Sequence, residues 1–230
     1  MDFFKTIIED TYKTLDSLPQ KEYATSEPWK DAGNSQVVLL RDTYTELDGV
    51  GYNIVTTEEV NDSIVIIGED ISKLKGKVSF ARISVIQIDE CDSEQNSYNL
   101  IRKIEYTKYH TFPDGYMIRT SSRSHNEAVR ISSQSVKNGI DFRQVGSLYI
   151  SKYKENPAVK SVRIYFVTDP VADYSSLLSL AEKNNRITET LNHVINNVNF
   201  DCDVCNLKPI CDEVEGMREL HFKASGKMGG

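Results

Sequence analysis

The sequence predicts an α+β domain, a mixed β-sheet with packed helices, opened by an N-terminal helix and closed by a Cys-rich tail. Short β-branched runs alternate irregularly with helical repeats, so the order is not a clean βαβ series. The run from Val78 to Ile88 is the longest strand-like segment and is expected at the centre of the sheet. Three cysteines fall within ten residues near the C-terminus, where the strand and helix patterns have ended.

In chain order, Phe4, Ile7, Ile8, Tyr12 and Leu15 recur at helical spacing, and Pro19 ends that run. The polar stretch from Gln20 to Ser35, with Glu27-Pro28 and Gly33-Asn34, reads as a linker. Strands are expected at Val37–Leu40, Tyr52–Thr56, Ile64–Ile67 and Val78–Ile88; in the last, Phe80, Ile83, Val85 and Ile88 mix with Arg82, Ser84 and Gln87. A helix from Ser97 to Tyr109 repeats Leu100, Ile101 and Ile104. The turn Phe112-Pro113-Asp114-Gly115 then leads to short strands at Tyr116–Arg119 and Ala128–Ile131. After Ser133 the pattern reads helix, a break at Gly139, and a helix near Arg143–Lys154. A strand at Ser161–Val167 and a long helix from about Ala172 to Ile195, introduced by Asp169-Pro170, complete it. The chain thus divides into a helix and linker (1–35), an α+β domain (36–198) and a metal-binding tail (199–230).

Net charge and hydropathy exclude several classes of function. A formal charge of −7 and a pI near 5.2 argue against a nucleic-acid surface, which needs clustered Lys and Arg. No apolar run approaches the roughly 20 residues that span a bilayer, so no membrane insertion is expected. The start, MDFFKTIIEDTYKTL, is acidic and interrupted where a secretory signal is basic and then apolar, which predicts a cytoplasmic protein. In that compartment clustered cysteines point to ligation rather than to disulfides.

Cys202-x2-Cys205 sets two thiolates on one turn within reach of a single metal, and Cys211 follows after Pro209, which helps fold the loop back. His221, after nine intervening residues, could complete a Cys3His zinc site or cap an iron–sulfur cluster; the alternative is a packed or solvated imidazole. The cysteines have an alternative of their own, as small buried apolar side chains. Cys91, in an acidic turn, reads as a free thiol. Arg119, Arg123, Arg130 and Arg143 could meet phosphates, with Arg123 in the loop Ser121-Ser122-Arg123-Ser124-His125 the best placed, or they are surface arginines in salt bridges. No glycine-rich phosphate loop, Ser-His-Asp order or paired carboxylates mark a hydrolytic site.

Several blocks together resemble a known family. They are Gly115-Tyr116-Met117-Ile118, Asn126 through Ser132, Gly139, Val145-Gly146, Lys154 through Val159, and Val162–Val167 with Thr168-Asp169. Earlier come Asp48-Gly49-Val50-Gly51-Tyr52, Ser63 through Ile71 and Lys75-Gly76-Lys77. Their order is similar to that in CO-methylating acetyl-CoA synthase, the beta subunit of the CO dehydrogenase/acetyl-CoA synthase complex, over about residues 36 to 211. The resemblance implies that 36–198 corresponds to the synthase middle domain, linked in the family to CoA binding, with Arg123 and Arg130 as cofactor-binding candidates. In the family a Cys-x2-Cys-x8-Cys-x9-Cys pattern then holds a 4Fe-4S cluster. Here Cys202, Cys205 and Cys211 stand at shortened spacing, with His221 where the fourth cysteine falls. The later Cys-Gly-Cys that ligates catalytic nickel in the family is absent, so complete synthase activity is not expected and the reading is a short form. The resemblance implies an accessory or carrier protein with an iron–sulfur cluster and a protein partner, in anaerobic C1 or corrinoid metabolism or a CO dehydrogenase-type system. The alternatives are a zinc-stapled interaction module and a CoA-binding subunit.

Overall fold

The computed structural model describes residues 3–89, 94–121, 126–195 and 207–214. It has a seven-stranded mixed sheet: β1 (Gln20–Tyr23), β2 (Thr43–Thr56), β3 (Ser63–Ile67), β4 (Gly76–Ile88), β5 (Tyr116–Ser121), β6 (Asn126–Ser132) and β7 (Val159–Val167), in the order β1-β3-β7-β4-β2-β6-β5. The expected centre is borne out, since β4 is fourth of seven. It runs parallel to β2 and antiparallel to β7. The described helices are α1 (Lys5–Leu15), α2 (Glu94–Tyr109), α3 (Ser133–Lys137), α4 (Phe142–Lys154), α5 (Tyr174–Ile195) and α6 (Lys208–Glu213). The α+β class read from the sequence holds. None of the described helices is long and apolar enough to cross a membrane.

Strand alternation assigns the helices to faces. Residues paired across neighbouring strands share a face. Arg82 on β4 aligns with Gly51 on β2 and Phe166 on β7, and this side meets α4. There Phe142 stacks on Phe166 with centroids 4.6 Å apart, and Tyr149 lies under the Arg82 guanidinium at 5.1 Å. On the other side Tyr52 and Tyr165 meet α1 through a Thr11–Tyr52 hydroxyl contact of 3.1 Å and a Tyr12–Tyr165 ring contact. α5 packs beside α1 on this side, burying Leu177, Ala181, Ile187 and Leu191. With both faces covered, every residue of β4 from Phe80 to Ile86 is buried, so its polar positions Arg82 and Ser84 lie in the core.

Two local expectations are corrected. Val37–Leu40 is not a strand, for Val37 and Leu40 are exposed and only Val38 is buried, its N–H directed at Met117 Sδ. An isolated apolar run with one inward residue gains too little burial to hold a ladder; a 3-10 turn at Leu40–Asp42 instead leads into β2. The segment read as a linker contributes β1, antiparallel to β3. Its residues Gln20, Lys21 and Glu22 are exposed, as an edge strand requires, so no apolar alternation announced it.

The last long helix starts two residues later than expected, because Asp173 caps it. The Asp173 carboxylate accepts from Ser176 N–H at 3.0 Å and from the Ser176 and Ser175 hydroxyls at 2.7 and 2.8 Å. These donors hold its pKa down at about 2. A folded pKa below the unfolded value means that the stabilisation is present above about pH 4 and is lost as pH falls towards 2. Asn accepts the same N–H without titrating. Asp173→Asn is therefore expected to remove this part of the acid destabilisation, measured as melting temperature against pH; an unchanged profile would place the titration elsewhere.

Candidate functional site

Two strands of unequal length create the site. β4 pairs with β2 along Thr45–Thr56, whereas β6 pairs with its other edge only as far as Val50. Among the described strands, none continues along the outer edge of Gly51–Thr56. A bare strand edge presents backbone donors and acceptors that need partners. Side chains from helices supply two of them. Lys108 Nζ on α2 donates to Gly51 O at 3.5 Å, and Asn184 Nδ2 on α5 donates to Asn53 O at 3.0 Å.

Under this edge lies a buried charge network. The Arg82 guanidinium, fully enclosed, makes two parallel bonds to the Glu127 carboxylate, 2.7 Å from Nε and 2.8 Å from Nη2. Its Nη1 donates to Ser84 Oγ at 3.0 Å and approaches Asn53 Oδ1 at 3.5 Å, which also accepts from Tyr153 OH at 3.0 Å. Burial opposes the charge on Arg82, but Glu127 together with Tyr153 and Tyr149 more than offsets it and holds the pKa well above the ordinary guanidinium value. Gly51 is what admits the carboxylate: a Cβ there would sit 1.9 Å from Glu127 Oε2. The fork is closed on itself, which suits a structural pair rather than a reacting group.

Between the open edge, α2 and α5 is a cavity of about 380 Å³. Lys108, only 7% exposed, lies in its wall and pairs with Glu105 at 3.0 Å. Burial works against the ammonium, yet Glu105, Tyr109 and Glu127 more than offset it and its pKa is raised. Lys108 therefore stays charged at neutral pH. Asn184, 8% exposed, keeps its Oδ1 buried without a hydrogen-bond partner. Phe4, Val55, Ile101, Ile104 and Ala181 contribute apolar lining. Polar groups converging in a half-apolar hollow suit ligand binding.

Three of the four arginines expected to bind anions, Arg119, Arg130 and Arg143, fall among the described residues. Arg130 on β6 gives its Nε to Glu46 Oε1 at 2.7 Å, and Arg119 is exposed on the edge strand β5. Arg143 hydrogen-bonds Ala24 O and lies 6.0 Å from the Tyr23 ring, at the opposite edge of the sheet. Arg123, Cys91, Cys202, Cys205 and His221 lie outside the described residues, and Cys211 falls in α6. Among the described residues no group of three His, Cys, Asp or Glu could hold a metal ion.

Sequence reading passed over Lys108 and Asn184, although each carried a signal. Asn184 falls on the repeat Leu177, Ala181, Ile187, Leu191, and Lys108 on the repeat Ile101, Ile104. A polar residue at a core position of an apolar stripe has to be matched inside the fold.

The family model of the CO dehydrogenase/acetyl-CoA synthase complex beta subunit matches residues 34–172, more than half of the chain. The chain belongs to this family. In the beta-subunit family match fall β2 through β7, hence the Arg82–Glu127 network and Lys108. α1 and α5, which bring Phe4 and Asn184 to the cavity, lie outside the matched span. No curated protein matches the chain significantly.

Proposed function

We propose that this chain is an acetyl-CoA-synthase-related accessory or carrier subunit of a CO dehydrogenase/acetyl-CoA synthase-type assembly. It carries an iron–sulfur cluster on Cys202, Cys205 and Cys211, with His221 as the fourth donor, in anaerobic C1 or corrinoid metabolism. The observation that carries the family role is the match over residues 34–172. The donor set supports the cofactor, because three thiolates within ten residues suit iron–sulfur or zinc and are poor partners for hard cations. α6 adds a physical argument: Leu207 and Ile210 are buried, and α6 packs on α5, so the backbone at Cys211 is tied to the body of the fold. Ligation then has less chain to order. Bound there, a cluster would supply electron transfer, while the chain supplies the thiolates and their anchor. No Cys-Gly-Cys occurs within these residues, so nickel-dependent acetyl formation is not assigned to them.

Anaerobic purification of the wild type and of Cys205→Ser, with metal and acid-labile sulfide analysis, tests this reading. The wild type is expected to be brown and to contain iron and sulfide, and the variant to lose most of both. Full retention by the variant would overturn the site. A colourless wild type with zinc and no sulfide would replace the cluster by a zinc staple.

A further inference from the structure

We infer that the cavity between β2, α2 and α5 is a binding site for a small organic acid that carries a hydrogen-bond donor beside its carboxylate and an apolar body. A 2-hydroxy acid has this chemistry. The inference is independent of the cysteines and of the family role.

Volume comes first: about 380 Å³ lies within the usual range of small-molecule sites. The orientation of Asn184 gives the second argument. Its amide nitrogen has to face Asn53 O, because an oxygen turned to that carbonyl would set acceptor against acceptor. Oδ1 is therefore fixed as an acceptor; it is buried without a partner, and Asn184 is among the residues that line the hollow. A buried acceptor lacking a donor is costly, and a ligand hydroxyl would satisfy it.

Charge selects the rest of the ligand. An ammonium has three N–H groups, and Lys108 directs them at Glu105, at 3.0 Å, and weakly at Gly51 O, at 3.5 Å. The remaining N–H has the face of the Tyr109 ring, 4.7 Å from Nζ, a weaker partner than a carboxylate. The charged lining consists of two cations, Lys108 and Arg102, against one carboxylate, Glu105, so the hollow is locally positive in a chain of net charge −7. Arg102 is exposed and stands at the rim, where it meets an incoming anion. Phe4, Ile101 and Ile104 favour an aliphatic or aromatic body over a bare inorganic ion.

Calorimetry and thermal unfolding of the full 230-residue protein test the assignment, with lactate and 2-hydroxyisocaproate as probes and their neutral amides as controls. At tenfold excess over its Kd, 2-hydroxyisocaproate is expected to raise the melting temperature by about 3 to 6 °C. It should bind more tightly than lactate, and its amide about tenfold or more weakly, since the charge-assisted bond is lost. Lys108→Met is expected to weaken the acid about tenfold or more. Arg102→Ala, at an exposed position, should weaken it a few-fold and keeps the test open if Lys108→Met does not fold. The assignment is overturned if neither acid binds at about 10 mM, a concentration that would reveal even millimolar affinity. It is equally overturned if amides bind as well as acids, or if Arg102→Ala binds the acid as the wild type does.

Discussion

Glu127→Ala is expected to destabilise the protein by about 3 to 5 kcal/mol, the range found when one partner of a buried ion pair is removed. For a chain of this length the melting temperature would fall by about 6 to 20 °C. The reason lies in where the remaining charge sits. Arg82 is fully enclosed between the sheet and α4, so a guanidinium without its carboxylate cannot reach water. Ser84 and Asn53 would still accept from Nη1, but Nε and Nη2 would lose their partner. Replacing both charges, as in Arg82→Met with Glu127→Leu, is expected to cost far less than Glu127→Ala alone, because no charge is then left behind. Urea unfolding of the three variants checks this. A loss below about 1 kcal/mol for Glu127→Ala would mean that the pair behaves as a solvated one.

Gly49→Ala is expected to cost about 3 kcal/mol or more, at the upper end of what overpacking does. A Cβ at this position would lie 1.6 Å from Phe80 O and 2.6 Å from Phe80 C, both backbone atoms of the neighbouring central strand. A side chain in the way could turn aside. A strand cannot, without breaking the β2–β4 ladder in which Gly49 aligns with Phe80. Gly51→Ala differs in kind, since its Cβ would meet the end of the Glu127 side chain. Its cost should therefore shrink when Glu127 is already Ala, whereas that of Gly49→Ala should not. Equilibrium unfolding of the two glycine variants in both backgrounds measures this; equal, additive costs would refute the distinction.

Much of the fold was legible in the sequence because its signals are local. The 3.6-residue repeat of α5 and the β-branched run of β4 announce what each segment buries, and burial is what drives their formation. The chain also signalled Gly49 and Gly51 as part of the blocks shared in order with the acetyl-CoA synthase family, though not why they are glycines. Where a segment's stability comes from elsewhere, local reading failed. β1 is a polar edge strand held by its pairing with β3, and Val37–Leu40 looked like a strand but has no partner strand in the described sheet.

Charge and polarity at the site were decided by tertiary structure alone. Arg82 sits in an alternating run that would expose it in a one-faced sheet, and only the packing of α4 over that face buries it with Glu127, 45 positions away. Arg130, an anion-binding candidate by residue type, is paired to Glu46 because β6 and β2 are neighbours. The cavity itself follows from a mismatch of lengths, 14 residues in β2 against seven in β6, which leaves half a strand edge for Lys108 and Asn184 to complete. The sequence by itself determined most of the elements, the α+β class and the cluster of thiols. Which polar groups face one another was settled by strand order and helix placement, because hydrogen bonds between residues distant in the chain depend on geometry that no local pattern encodes.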